Sequence, residues 1–469
     1  MDKKSDSMVK NVVLWGAPLF SFTLFIVMKS LDVDTAVTVV TTTTLLCALW
    51  WIFEPIPIPV TSLIPLVVFN LSGILTSSEI AQSYGHPLIL LLLGGFILSQ
   101  SMSYSGAHKR IALLMVNLVG ADSPKRLVFG FMIASALLSM WISNTAATLM
   151  LLPVALATVE SCNDKKLTVA LLLGIAYSAS IGGVGTPIGT PPNALFMSTY
   201  AEVTGQDLGF IDWMKWGVPL VVVFIPVSML WITKNLGANS KISVPTTGKW
   251  TTIEKRVLSV FLVTALLWIT RKAPFGGWSE FSGLTSANDA SIALLACVTL
   301  FIIPDGMKNK SRNHTGRLLN WEHANKIPWG VLLLFAGGIC IAKAFGASGL
   351  SQILGEYLTS FVLLPIIVVT ALIALAVTFM TEMTSNTATT ALLMPILAAA
   401  ALTAKIDPAI LMVPAAMSAS CAFMLPVATA PNAIVYGSEQ VNIQQMVKTG
   451  FALNIIGVLL ITAISVLLI

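Results

Sequence analysis

The sequence predicts an all-α polytopic membrane protein with two re-entrant helical hairpins and two broken helices, built as a duplicated half. Three observations carry this prediction. Of the 469 residues, 56% are hydrophobic and only 10% are charged, against about 25% charged in soluble domains, so the apolar excess has nowhere to go except lipid. Apolar runs of nearly spanning length recur along the whole chain. Between them lie apolar segments interrupted by polar or Gly/Pro clusters, and these come in pairs.

In order, spans are expected near 11–29, 36–53, 60–76, 86–103, 212–233, 256–271, 288–304, 328–345 and 447–469, because each approaches the roughly 20 apolar residues that a crossing helix needs. The first is read as a retained helix: its flanking lysines fit a signal peptide, but no small-residue cleavage site follows. Segment 125–158 carries Trp141-Ile142-Ser143-Asn144-Thr145 at its centre, and segment 359–403 carries Met383-Thr384-Ser385-Asn386-Thr387. Polar residues facing lipid at that depth are costly, so each is expected to dip into the membrane and return to the same side. Helices near 167–200 and 408–437 are interrupted by the stretches Ile181 to Asn193 and Met424 to Asn432. Glycine and proline there remove helical hydrogen bonds and unwind the backbone.

The pairs keep nearly constant spacing. Gly94-Gly95 recurs as Gly337-Gly338, 243 residues on, and Ser105-Gly106 as Ser348-Gly349 at the same offset. The stretch SNTAATLMLLP from Ser143 recurs as SNTATTALLMP from Ser385, 242 residues on, and the GTPPN from Gly189 as ATAPN from Ala428, 239 on. Paired broken segments in corresponding halves point to a transporter's midplane binding site. Basic residues set the orientation: Lys3, Lys4 and Lys10, then Lys234, Lys241, Lys249, Lys255 and Arg256, then Lys308, Lys310, Arg312, Arg317 and Lys326 belong to cytoplasmic segments. Arg271 and Lys272 then fall outside, a local exception. The first hairpin is expected to enter from the cytoplasmic face and the second from the opposite one.

Other chemistries find no residues. The net charge of +5 is spread over short basic runs, so nucleic-acid binding is not expected. Cys47, Cys162, Cys297, Cys340 and Cys421, like the four histidines, are dispersed, and no transition-metal site or cofactor is expected. Ser143 or Ser385 as an enzyme nucleophile would lack a His or Lys base in either motif. Hydroxyls, amide oxygens and unwound carbonyls do suit sodium, while exposed helix N-termini suit a carboxylate. One Ser-Asn-Thr alone would ordinarily mean helix packing, but two, each followed by its own break, argue for a site. Glu382 is a candidate proton carrier because it is an intramembrane carboxylate. Lys343 is expected to snorkel, Glu54 to satisfy local backbone donors, and Trp50-Trp51 to sit at the lipid interface.

On the WWIFEPIPIPVTSLIPL stretch from Trp50, both Ser-Asn-Thr motifs and both breaks, the chain resembles the divalent anion:sodium symporter family of di- and tricarboxylate carriers over essentially its whole length. That resemblance implies about eleven transmembrane helices, inverted repeats and a homodimer built on a scaffold domain. It also implies a transport domain that moves as a rigid elevator. The parts would be first-repeat scaffold helices (1–124), first-repeat transport elements (125–210), a linker helix with second-repeat scaffold (211–356), second-repeat transport elements (357–442) and a C-terminal helix (443–469). One sodium site would use Ser139, Ser143, Asn144 and the Gly189 carbonyl, and its partner Thr381, Ser385, Asn386 and the Ala428 carbonyl. Substrate would meet Ser143, Asn144, Thr145, Thr190 and Pro191 from one half and Ser385, Asn386, Thr387 and Thr429 from the other. Where the family's second break usually repeats Thr-Pro-Pro-Asn, this chain has Ala430. The expected function is sodium-coupled import of a C4-dicarboxylate such as succinate, malate or fumarate across a bacterial cytoplasmic membrane. Carboxylate exchange, or sulfate or tricarboxylate transport, on the same fold is the alternative.

Overall fold

A computed structural model describes residues 3–120, 122–159, 164–237, 248–272, 277–306, 316–362 and 364–469. Cys162, Lys241, Lys308, Lys310 and Arg312 lie outside the described residues. The described chain is helical, and eight of its helices are long and apolar enough to cross a membrane. They include Thr35–Phe53, Lys165–Gly183, Phe210–Thr233, Trp329–Ala347 and Ile443–Leu468.

The expected span at 60–76 is shorter than predicted and divided. Helix Ile58–Thr61 stops at Ser62, and Leu63–Leu71 follows. The Ser62 hydroxyl donates back to the Ile58 carbonyl and accepts from the Trp51 indole at 3.1 Å. Trp51 is therefore a fully buried anchor and not an interface residue, because a buried indole N–H needs a partner and finds one there. Trp50 reaches the Val13 carbonyl on the first helix, Lys3–Ser30.

Two amphipathic helices not anticipated from the sequence extend the duplication. Ala107–Val119 and Leu350–Val362 occupy positions 243 residues apart and each precedes a hairpin. Arg110 anchors the former by an ion pair with Glu254 (2.6 Å), a hydrogen bond to the Lys249 carbonyl and a position over the Trp250 ring.

Both expected helix–turn–helix units are present. Pro124–Ser139 turns through Met140 to Ser143 into Asn144–Val159, and Ile366–Met380 turns through Thr381 to Ser385 into Asn386–Thr403. Proline marks both starts, Pro124 at the first helical position of one arm and Pro365 at the N-cap of the other, each fixing φ there. Ser123 caps the first arm by accepting from the Arg126 N–H. Both breaks are present too. Lys165–Gly183 resumes as Pro191–Thr204, and Ala409–Ala419 resumes as Ala430–Tyr436. Each resumption starts at a Thr N-cap. The core lies where the hairpins pack on the broken helices. Gly450 of the C-terminal helix has its Cα against the Phe423 carbonyl, so any side chain there would push the second break away.

Candidate substrate and sodium site

Unwinding a helix inside a membrane protein exposes backbone groups that water will not satisfy, and each costs free energy unless paired. The two breaks meet this demand with the same device. In the first, the Asn193 amide nitrogen donates to the Gly183 carbonyl at 2.9 Å and the Thr186 carbonyl at 2.7 Å. In the second, Asn432, 239 residues on, donates to Ala422 at 3.2 Å and Leu425 at 3.0 Å, which are the equivalent carbonyls at the same offset. Both asparagines are fully buried. The final Asn of each Pro-Asn pair thus staples the loop that precedes it. The buried Trp213 indole adds a bond to the Val184 carbonyl at 2.7 Å.

The joint between hairpin and break is solved differently in each half. In the first, the Thr186 hydroxyl donates to the Met140 carbonyl at the hairpin tip. Met140 corresponds to Glu382, and Thr186 to Leu425. In the second half the side chain comes from the hairpin instead. Glu382 Oε1 accepts from the N–H groups of Phe423 (2.7 Å) and Met424 (2.9 Å) and from the Asn454 amide (2.7 Å), while Oε2 accepts from the Leu425 N–H (2.9 Å). The carboxylate is 3% exposed. It is held by donors on the break and on the C-terminal helix.

These joints bring both tips and both breaks to one cavity of ≈ 830 Å³. From the first half it is lined by Ser143, Asn144, Thr145, Gly189, Thr190 and Pro191. From the second it is lined by Ser385, Asn386, Thr387, Ala428 and Thr429. Ser139 and Thr381 do not line it and are buried behind the tips. Ser139 still reaches the set, its hydroxyl donating to Asn144 Oδ1, whereas the Thr381 hydroxyl goes to the Thr378 carbonyl at 3.1 Å. Asn144 and Gly189 both crowd Gly183, where a β-carbon would stand 2.6 Å from Asn144 Oδ1, so glycine is what lets the amide reach the break. The Ser420 and Thr190 hydroxyls, 3.4 Å apart, join the two breaks.

The oxygens fit a small hard cation. Asn386 Oδ1 is buried with no protein hydrogen-bond partner, and an acceptor in that condition is stabilised by a cation. Among the described residues no three of His, Cys, Asp and Glu cluster as a transition-metal site.

Sequence reasoning missed part of the wall. Phe96, Gln100, Thr384 and Val427 line the cavity, and Lys10, Glu54, Lys326 and Pro328 come from helix ends on one side. Glu54 caps a helix in a left-handed conformation at φ 47° through its own N–H to the Trp50 carbonyl, and among the described residues no local backbone donor meets its side chain. Lys343 does not snorkel freely but pairs with Glu202 at 3.7 Å, joining Trp329–Ala347 to the end of the first broken helix. Only tertiary proximity reveals these residues.

The citrate-transporter family profile matches residues 48–412. The chain is 38% identical to the sodium-dependent dicarboxylate transporter SdcS of Staphylococcus saprophyticus, over 96% of this chain and 90% of that protein. It is 39% identical to SdcS of Staphylococcus aureus strain NCTC 8325, over 89% and 83%. Two solved structures share the fold at low identity. The Alcanivorax borkumensis YdaH transporter has a TM-score of 0.59 at 13% identity, covering 85% of this chain and 87% of that one. Neisseria gonorrhoeae MtrF has a TM-score of 0.57 at 14% identity, covering 85% and 83%. With the paired Ser-Asn-Thr tips and paired breaks around one cavity, these matches show that the chain belongs to the citrate-transporter family.

Proposed function

We propose that this protein imports C4-dicarboxylates together with sodium across the cytoplasmic membrane. The observation that carries the reading is the convergence of both Ser-Asn-Thr tips and both breaks on one cavity. Its volume falls in the range of about 300–1,000 Å³ usual for small-molecule sites. The named activity of the relatives, sodium-dependent dicarboxylate transport, supports it. Their being transporters also removes the enzyme alternative.

One sodium is assigned to Ser139, Ser143, Asn144 and the Gly189 carbonyl, and a second to Ser385, Asn386 and the Ala428 carbonyl. Thr381 contributes to the second from behind the tip. The carboxylates are assigned to Asn144, Thr145, Asn386 and Thr387, with Thr190, Pro191 and Thr429 closing the walls. The motifs carry no cationic side chain, so bound sodium and helix termini compensate the dianion. Lys10 and Lys326 stand at the mouth, where positive charge raises the local concentration of an anion. That mouth lies on the side assigned to the cytoplasm, so this conformation opens inward.

Radiolabelled succinate uptake into proteoliposomes under an imposed sodium gradient tests the coupling. Net uptake is expected with sodium and none without it. Uptake that needs an internal carboxylate instead supports exchange, and competition by sulfate or citrate ranks the remaining substrates. The dianion is the expected transported species, because protonation discards charge attraction and turns an acceptor into a donor. Uptake should fall as pH drops below the upper pKa of succinate. A rate that rises steeply with acid and persists without sodium would overturn the sodium coupling.

The hairpins and broken helices, 125–210 and 357–442, are proposed to move as one unit against the scaffold helices of a homodimer. Ser135 is no reporter of this motion, since it is buried with its hydroxyl on the Ile175 carbonyl at 2.8 Å. Met383 at the second tip and Val427 in the second break are 80% and 77% exposed and line the cavity. In a background without the native cysteines, Met383→Cys and Val427→Cys should change together in their reactivity to a membrane-impermeant thiol reagent when sodium and succinate are added. Thr35→Cys, exposed at the start of the scaffold helix Thr35–Phe53 and outside this cavity, should not. A response of Met383→Cys alone would replace the elevator by a local gate.

A further inference from the structure

Three helix ends meet away from the transport cavity and enclose a second one of ≈ 480 Å³. Its walls come from the start of Lys165–Gly183, the end of Phe210–Thr233 with the residues after it, and the start of Ile443–Leu468. Each end contributes a lysine: Lys166, Lys234 and Lys448. No Asp or Glu lines the space, and none of the three lysines has a carboxylate partner among the described residues. The Lys234 ammonium lies 3.2 Å from the centroid of the Trp231 ring, which holds it at the cavity edge. The inner wall is apolar, with Val169, Ala170 and Leu173.

Like charges gathered without a counter-ion repel one another and favour any anion that joins them. The chemistry on offer is also two-sided: ammonium groups at the rim, an aliphatic wall below, and a tryptophan at the boundary, where indoles concentrate at membrane–water interfaces. A soluble dianion would use the rim and leave the wall wet. A phospholipid uses both. Basic pockets between transmembrane helices on the cytoplasmic side take acidic lipid headgroups, and the connections place these helix ends on the same side as Lys10 and Lys326.

We propose that this cavity binds the phosphodiester headgroup of an anionic phospholipid, with Lys166, Lys234 and Lys448 on the phosphate and the acyl chain along Val169 and Leu173. The shared chemistry with free phosphate is the phosphate group, and the apolar wall favours the lipid. Because two of the three helices flank the substrate-binding elements, occupancy would couple membrane composition to transport.

The test is native mass spectrometry and thermal unfolding of the full chain in detergent, with phosphatidylglycerol, phosphatidylcholine or inorganic phosphate added. Phosphatidylglycerol should be retained and raise the unfolding temperature, and the other two should not. Each of Lys166→Gln, Lys234→Gln and Lys448→Gln should weaken phosphatidylglycerol binding about fivefold, the effect of about one basic residue at an acidic membrane surface. The triple variant should lose it. A charge-matched triple variant at the exposed Lys109, Lys125 and Lys255 should bind as the parent does. Equal retention of both lipids, equal loss in both triple variants, or stabilisation by inorganic phosphate alone would each overturn the proposal. The single variants keep it testable should the triple variant not fold.

Discussion

Asn386→Ala should shift sodium activation of uptake to about fivefold or more higher concentration while leaving the sodium-free protein no less stable to heat. Asn386 Oδ1 is buried without a protein partner, so on the proposed assignment removing it deletes a sodium ligand and an uncompensated acceptor together. Losing one bond at a dry site costs about 1–3 kcal/mol, and each 1.4 kcal/mol is about tenfold in affinity. The parent's melting temperature should rise with sodium, as it does for any ligand that binds only the folded state. The variant's should rise far less. Asn144→Ala should differ in an informative way. Asn144 Oδ1 accepts from the buried Ser139 hydroxyl, so its loss leaves that donor unpaired and should lower stability even without sodium. Normal sodium activation in a well-folded Asn386→Ala protein would remove the second sodium site.

Glu382→Gln should also weaken sodium activation strongly while leaving the pH profile of uptake in place. The carboxylate takes donors from Phe423, Met424, Leu425 and Asn454. An amide retains one acceptor oxygen and turns an NH₂ group toward N–H groups, so at least one bond becomes a repulsion. Bonds to a charged group are worth about 1.5–3 kcal/mol each. The damage falls on the backbone that leads to Ala428, three residues beyond Leu425. Asn454→Ala should act in the same direction with a smaller effect, because it removes one donor and leaves the backbone bonds. A proton carrier would behave otherwise. If Glu382→Gln abolishes the pH dependence and preserves sodium activation, Glu382 carries protons and its bonds to the break are secondary.

The contrast between these two residues shows what the sequence discloses. Asn386 was legible because its neighbourhood is local and occurs twice: Ser-Asn-Thr at a tip, a Gly/Pro break downstream, and a near-constant offset between copies. Repetition substitutes for three-dimensional information when both copies build one site. Glu382 was legible only as an intramembrane carboxylate, because its partners lie 41 to 72 residues away on two other elements. The same holds for Lys343 with Glu202 and for Trp51 with Ser62. Hydropathy also overestimated the span at 60–76, since an apolar run does not disclose the hydroxyl-satisfied interruption at Ser62. The role of Asn193 and Asn432 was within reach. Each stands at the first turn after its break, and a short amide there has few other groups to bond than the carbonyls seven and ten residues before it.

Those two asparagines also bear on how binding energy is divided. A loop that must become ordered when its ligand arrives subtracts that ordering from the observed affinity. Here the unwound segments are tied down by side chains of their own chain, so their conformational entropy is lost when the protein folds, long before an ion arrives. On the proposed sodium sites, ordering by the ion would be confined to the short tips between Ser139 and Asn144 and between Thr381 and Asn386. A calorimetric titration of sodium should accordingly show a small heat-capacity change, the signature of a receptor built in advance rather than one assembled around its ligand.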